Sequence, residues 1–538
     1  MKTEKWRAGI LSFESKKNYE NPFLDVVIKA VFTAPSGRKI VREAYWDGGN
    51  TYRVSFAPSE TGEWNYTLEC DDDNGLKGQH GTIECVEYTG TLDIYKHGFL
   101  KIGGQGKYLA HDDDTPFFWL GDTHWGFISG ERWDESNHPE MDSMFRGMVD
   151  RRAMQKFNVY QTNLRPEFWA GNHYWVDGQK GKLPDVAFYQ LQVDPRMQYI
   201  ADAGLVNALG LAWGMSVCGE IGLYKNFARY IVARYGALPI VWTLAGEVAG
   251  YDNQRQKLID GWREVALLIE KLDGYNNLQT AHYTNERPFA DYYQNENWFD
   301  FTLNQAGHGD YPISAKYYKE HRAKYPDKPF IEGEALYEGV STLEENGSRI
   351  ADAAMMRRTA YMSIQLGGCG YTYGAQGIWD TVWDKNELPA FNIFNLGRKT
   401  WIDAIDAEGG CQMTYMREFY EKVKFSQLSP CACCYKTGMG FTDDALFGMF
   451  APNVSANNDM STVVLYFSAS SRSSGESTKI QYLQNRRYTA SWFNPRTGEY
   501  TVFSDAVQPL KGEWTPPEKP SAEDWLLLIQ MKGENKND

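Results

Sequence analysis

The stretch Lys328-Pro-Phe-Ile-Glu-Gly-Glu-Ala-Leu-Tyr-Glu338 passes from an apolar segment straight into carboxylates. Pro329 to Ile331 reads as a short buried strand, with Glu332, Glu334 and Glu338 following. That build suits a barrel strand whose C-terminal end opens into a site. A second stretch is made the same way: Pro239-Ile-Val-Trp-Thr-Leu-Ala-Gly-Glu-Val248, with Glu247 after a glycine at the strand end. Two carboxylates at the ends of two buried strands are the minimum for cleaving a glycosidic bond. One gives a proton, and the other attacks or activates water.

Around these stretches, residues 99 to 428 alternate apolar strands with amphipathic helical patterns. Strands are predicted over Phe117 to Leu120, Phe157 to Asn163, Ala208 to Met215, Ile240 to Leu244, Leu278 to His282, Phe299 to Leu303, Pro329 to Ile331 and Cys369 to Tyr373. Helices are predicted over Met141 to Lys156, Ile221 to Tyr235 and Gln254 to Leu272. Eight strand–helix units in this length define a (β/α)8 TIM barrel. A doubly wound sheet would need a glycine-rich phosphate turn after its first strand. Gly121-Asp-Thr-His-Trp125 is not one.

The flanks read as β. Residues 1–98 carry short alternating runs between turn signals such as Pro35-Ser-Gly37 and Asp47-Gly-Gly-Asn50, which predicts an N-terminal immunoglobulin-like β-sandwich. Residues 429–538 return to strand character, with Ser461 to Phe467, Tyr488 to Phe493 and Trp525 to Gln530, and predict a C-terminal β-sandwich. The fold class is therefore multidomain α/β, a central barrel between two β-sandwiches.

Composition narrows the function. The 538 residues hold 55 Lys and Arg against 70 Asp and Glu, a net charge of −15. So acidic a chain argues against nucleic acid or an anionic membrane as partner. No apolar run is long enough to span a bilayer. Met1-Lys-Thr-Glu-Lys-Trp-Arg7 is not followed by an apolar signal core, so a cytoplasmic location is expected. Of eight cysteines, Cys431, Cys433 and Cys434 cluster without a second CxxC or a nearby His at zinc spacing, so no metal or other cofactor is expected. Cys70 and Cys85 are expected as free buried thiols. Asp71 to Asp73 lacks calcium-loop spacing and reads as an acidic turn.

Catalytic groups of such barrels sit at the C-terminal strand ends. Those ends offer Asp122, His124 and Trp125; Asn163 and Arg165; Trp213; Glu247; His282; Gln305; Glu332, Glu334, Tyr337 and Glu338; and Tyr373 and Trp379. Glu247 is expected as acid/base. Glu334, nearest the end of its strand, is expected as nucleophile, ahead of Glu338 and Glu332. Arg165 is expected to hold the nucleophile ionised. Asp122, His124, Trp125, Asn163, Trp213, His282, Gln305, Tyr337, Glu338, Tyr373 and Trp379 are expected around the substrate.

Phe117-Phe-Trp-Leu-Gly-Asp-Thr-His-Trp125, Trp242-Thr-Leu-Ala-Gly-Glu247 and Lys328-Pro-Phe-Ile-Glu-Gly-Glu334 together resemble the apiosidase-like glycoside hydrolases. The flanks resemble the β-domains that often border such barrels, the second of them a collagen-binding-type domain. The resemblance implies a retaining mechanism with Glu247 as acid/base and Glu334 as nucleophile. Gly246 stands where the broader class has Asn, and Glu247 where apiosidases have Asp. The resemblance therefore implies the reaction and not the sugar. An exo-acting hydrolase of short glycosides is the leading expectation. An endo-acting β-glycanase with a groove of Trp125, Trp169, Trp175, Trp213 and Trp379, and a non-catalytic carbohydrate-binding protein, are the alternatives.

Overall fold

The computed structural model describes residues 1–164, 173–250, 254–284, 292–308, 315–342, 349–386, 399–436, 451–471 and 479–533, with backbone alone over 315–319. At its centre lie eight parallel segments: β1 (Trp119–His124), β2 (Val159–Asn163), β3 (Val206–Trp213), β4 (Ile240–Gly246), β5 (279–282), β6 (Thr302–Gln305), β7 (Phe330–Glu334) and β8 (Gly370–Tyr373). Seven form one sheet in the order β4-β3-β2-β1-β8-β7-β6. β5 closes the ring through two isolated parallel bridges, Trp242 with Gln279 and His282 with Leu303.

A regular fifth strand is the prediction, and side chains interrupt it. The Gln279 N–H donates to Asp300 Oδ2 at 2.8 Å, and Thr280 Oγ1 donates to the Phe301 carbonyl at 2.5 Å. Backbone groups bonded to side chains leave the ladder, so only bridges remain. β1 also differs from the prediction. Pro116–Phe117 is drawn into a separate three-stranded sheet with Tyr108–His111 and Leu100–Gly103, and the barrel strand starts at Trp119 and continues to His124.

The barrel interior is partly polar. Trp119 Nε1 donates to Thr372 Oγ1 (2.9 Å), Thr372 Oγ1 to Gln161 Oε1 (3.2 Å), and Gln161 Nε2 to the Gly333 carbonyl (2.9 Å). This chain ties β1, β8, β2 and β7 together, and each polar atom in it has a partner. Outside the ring, the helix Ile221–Tyr235 matches its prediction, and Arg255–Leu272 buries Leu258, Ile259, Trp262, Val265, Ala266 and Ile269 along one stripe.

Before the barrel, a five-stranded and a three-stranded sheet enclose Phe13, Phe32, Phe56 and Trp64; the rings of Phe32 and Phe56 stack at 3.7 Å. Cys70 and Cys85 are free and buried there. After the barrel, a six-stranded antiparallel sheet is accompanied by a two-stranded one. Among the described residues, no helix is long and apolar enough to cross a membrane.

Buried charges join these parts. Arg42, with no exposed surface, donates to the Val232 and Ala233 carbonyls (2.8 and 3.2 Å) in the last turn of a barrel helix, at the negative end of its dipole. Arg234 bridges Asp47 of the N-terminal sheets (2.8 Å) and Asp194 of the barrel. On the other side, Arg357 of a barrel helix grips Asp524 with Nε and Nη2 at 2.9 and 2.8 Å, and Arg496 adds a third contact at 3.0 Å. Removing one member of a buried pair strands the other. Asp524→Ala is therefore expected to cost about 3 kcal/mol in urea unfolding; a loss below about 1 kcal/mol means that the junction does not depend on this pair.

Candidate active site

The ends of β3 and β4 interlock. Leu244 and Glu247 both adopt left-handed backbone conformations, with φ of +61° and +50°. The pairing of β3 with β4 shifts register around Gly210. An irregularity of this kind re-aims the chain at a strand end, and non-glycine residues in that region of φ carry a conformational cost that the surroundings must hold. Here they do. A Cβ at residue 214 would overlap the Glu247 carbonyl, and one at residue 246 would overlap the Trp213 ring. Both positions are glycine because the two chains touch.

Glu247 is half-buried, and its Oε1 accepts from Gln305 Nε2 at 3.2 Å. Glu334, at the end of β7, is 5% exposed. Its Oε2 lies 3.1 Å from His282 Nε2, and its Oε1 lies 3.6 Å from His308 Nε2. His282 Nδ1 accepts the Glu247 backbone N–H at 3.4 Å. With Nδ1 an acceptor, the ring proton sits on Nε2, the nitrogen on the Glu334 side. One imidazole thus spans the backbone of one carboxylate residue and the side chain of the other.

The two carboxyls are pushed apart in pKa. Burial alone would raise Glu334, but the imidazoles of His282 and His308 facing it outweigh burial and bring its pKa down to about 2. Glu247 moves the other way: burial raises it, and the negative charge of Glu334 raises it further, against weaker lowering by Gln305, His282 and Trp213. The pair consists of a carboxylate held ionised and a carboxyl that binds its proton more tightly than usual, the direction of split that acid–base chemistry at one bond requires.

An aromatic wall stands beside them. Trp125, Tyr337, Val340 and Trp379 pack together, with Trp213 against them. Trp125 meets Trp213 and His282 edge to face at 5.7 and 5.5 Å, and its Nε1 donates to Tyr337 Oη at 3.3 Å. Tyr337 also touches His308 (4.9 Å) and Trp379 (5.8 Å). Gly374 admits the Tyr337 ring, since a Cβ there would overlap it. Asn163 is 2% exposed and spans β2 to β3, donating to the Ala212 carbonyl at 2.8 Å.

Other expected substrate residues lie elsewhere. Asp122 and His124 have no exposed surface. His124 places Nε2 at 2.8 Å from Asp122 and Nδ1 at 2.7 Å from Glu131, and Arg152 donates to Asp122 at 2.5 Å. Burial opposes both charges, but Arg152 and His124 lower the Asp122 pKa while Glu131 and Asp122 raise that of His124. The cause is strand alternation. Trp119 and Gly121 of β1 meet the interior Thr372, whereas Asp122 and His124 take the opposite face, toward the helix Met144–Met154 that carries Arg152. Tyr373 sits on the same outer layer. It donates to Glu338 at 2.5 Å, and Glu338 also accepts the N–H groups of Gly409 and Gly410, which open the helix Glu408–Lys422. Glu338 and Tyr373 therefore fasten that helix. Glu332 accepts from Asn304 Nδ2 and the Ala306 N–H (2.8 and 2.9 Å). Trp175 is buried against Phe23 and Phe227. Arg165 and Trp169 lie outside the described residues.

His308 is the residue that the strand-end survey misses. It stands three positions beyond Gln305, in Gln305-Ala-Gly-His308, and a window extended by one turn past β6 would have included it.

A parallel barrel with two carboxyls of oppositely shifted pKa at its mouth, beside an aromatic wall, has the equipment of a glycoside hydrolase. The chain belongs to the apiosidase-like family, whose catalytic domain matches residues 104–427. Residues 2–71 match a domain of unknown function, and residues 451–530 match a family named for collagen binding by a collagenase. The fold is shared with a glycoside hydrolase from Bacteroides vulgatus (18% identity, TM-score 0.73, covering 99% of this chain and 100% of that one). It is also shared with a family 5 glycoside hydrolase from Bacteroides vulgatus (21% identity, TM-score 0.66, 84% and 96%). No curated protein matches the chain. The protein is a glycoside hydrolase.

Replacing His282 and His308 together by Phe removes the two side chains that chiefly oppose burial at Glu334. Its pKa is expected to rise from about 2 to above the ordinary carboxylate value, read by carbon-13 carboxyl titration of labelled protein. An unmoved midpoint would show that the imidazoles do not hold it.

Proposed function

We propose that the protein is a retaining, exo-acting glycosidase in which Glu334 is the nucleophile and Glu247 the acid/base. The support for this reading is the placement of two carboxyls at the ends of β4 and β7 with their pKa values shifted in opposite directions. Glu334 attacks the anomeric carbon as Glu247 gives its proton to the leaving oxygen, forming a glycosyl ester on Glu334. Esterification removes the charge that helps to keep Glu247 protonated, so the Glu247 pKa falls. The resulting carboxylate takes a proton from water, and the water attacks the ester from the opposite side, which restores the original configuration. His282 and His308 keep Glu334 ionised between turnovers.

The exo reading rests on the arrangement of the aromatics. Among the described residues, Trp125, Trp213, Tyr337 and Trp379 gather around one place rather than along a groove, and Trp175 is in the core. Trp379 Nε1 and Gln305 Oε1 are buried without a partner among the described residues and are positioned to meet sugar hydroxyls. One compact glycosyl unit of a short glycoside is the fitting substrate.

The test is hydrolysis of a panel of aryl furanosides and pyranosides. Glu247→Gln should lower the rate about 10²- to 10⁴-fold, least for the best leaving groups, which need no proton. Glu334→Gln should abolish turnover for all of them. Proton NMR should show the first-formed sugar with the anomeric configuration of the substrate. Inversion would reject the covalent step, and a series of oligosaccharide products from a polysaccharide would reject exo action.

A further inference from the structure

The Cys431-Ala-Cys-Cys434 turn, read from sequence as metal-free for want of a fourth ligand, acquires one through the fold. The sulfur atoms of Cys431, Cys433 and Cys434 all lie within 4.8 Å of one another. A fourth sulfur comes from Met460, whose thioether lies 3.8 Å from Cys434 Sγ. In the structure Cys431 and Cys434 are joined as a disulfide, and Cys433 is a free thiol 3.8 Å from Cys431 Sγ.

Both loops are held in place before any ligand arrives. The Cys turn is pinned by the Cys431 N–H to the Val454 carbonyl and by the Gln481 N–H to the Cys434 carbonyl, each at 2.8 Å. It is flanked by Ser429–Pro430 and Tyr435–Lys436, which pair with neighbouring strands. The Met460 turn is closed by Asn457, which accepts the Met460 N–H at 3.0 Å and exchanges further bonds with Thr462. Cys434 is buried, Met460 half-buried and Cys433 exposed, so the cluster has an inner wall and an open door.

We propose that, once the disulfide is reduced, Cys431, Cys433, Cys434 and Met460 bind one monovalent soft d10 ion of the Cu(I) kind. Three thiolates and a thioether favour such an ion over a hard divalent cation. Metal–sulfur bonds of about 2.3 Å around a trigonal centre put the sulfurs about 4 Å apart; Cys431 to Cys433 and Cys434 to Met460 already stand at 3.8 Å, and opening the disulfide lets Cys431 and Cys434 separate to match. A dithiol reductant supplies the two electrons and two protons that open the disulfide and is itself oxidised to a cyclic disulfide. The ion then displaces the three thiol protons. Disulfide and ion exclude each other, which makes the site a redox-gated one on the C-terminal sheets, apart from the barrel mouth.

The test uses the full chain, reduced with dithiothreitol, freed of reductant without oxygen and titrated with Cu(I) supplied as its acetonitrile complex. One equivalent should give near-ultraviolet thiolate-to-copper absorbance and stay bound against a bicinchoninate chelator. Cys433→Ser and the double variant Cys431→Ser/Cys434→Ser should lose it, and Met460→Leu should release it at lower chelator concentration. Cys218→Ser/Cys411→Ser, which alters the two half-exposed thiols elsewhere, should keep it. Copper not retained by the reduced chain, retained equally by the Cys433 or double variant, or lost with Cys218 and Cys411 would each overturn the proposal.

Discussion

Two carboxyls share the mouth of this barrel, and a buried negative charge raises the cost of a second beside it. Burial first, and then repulsion from the charge of Glu334, raise the pKa of Glu247. The pair would be symmetric without further help. His282 and His308 break the symmetry by facing Glu334 with two ring nitrogens. Glu247 receives only an amide from Gln305 and the indole of Trp213. The chemistry assigned to each carboxyl follows from which of them has the imidazoles.

Holding that asymmetry requires a rigid mouth. His282 bonds to the Glu247 backbone as well as facing Glu334, so β4, β5 and β7 are positioned through a single ring. The left-handed conformation of Glu247 persists because Gly214 and Gly246 let β3 come into contact with it. Behind β1 and β2, the Asp122–His124–Glu131 chain, closed by Arg152 and by the Tyr160 hydroxyl at 3.0 Å from Glu131, fixes the strands from outside. Asp122 Oδ1 and Arg152 Nη2 keep no hydrogen-bond partner among the described residues, so the bonds that are made, and not complete satisfaction, tie these strands together.

The outer domains act on the same scaffold. Arg42 binds the end of a barrel helix, and Arg357 with Asp524 joins another barrel helix to the C-terminal sheet. Glu338, which sequence alone places at the mouth, bonds instead to the start of the helix Glu408–Lys422. Residues carrying charge near a barrel mouth are thus divided between the site and the fastening of the shell around it.

The sequence by itself determined the parallel barrel, the β character of both flanks and the strand-end positions of Glu247 and Glu334. These depend on local signals: apolar runs, turn residues and the period of alternation. It also placed Trp125, Trp213, His282, Gln305, Tyr337 and Trp379 near that end, and the structure brings these six together. Only the tertiary structure decided which face each side chain takes. The start of β1 at Trp119 turned Asp122 and His124 away from the mouth, and Tyr373 went with them. It alone supplied His308 to Glu334 and Met460 to the cysteine turn, because those contacts join segments whose separation along the chain carries no local signal. Protonation was likewise beyond sequence, since a carboxyl's pKa depends on burial and on neighbouring charges that only the closed barrel assembles.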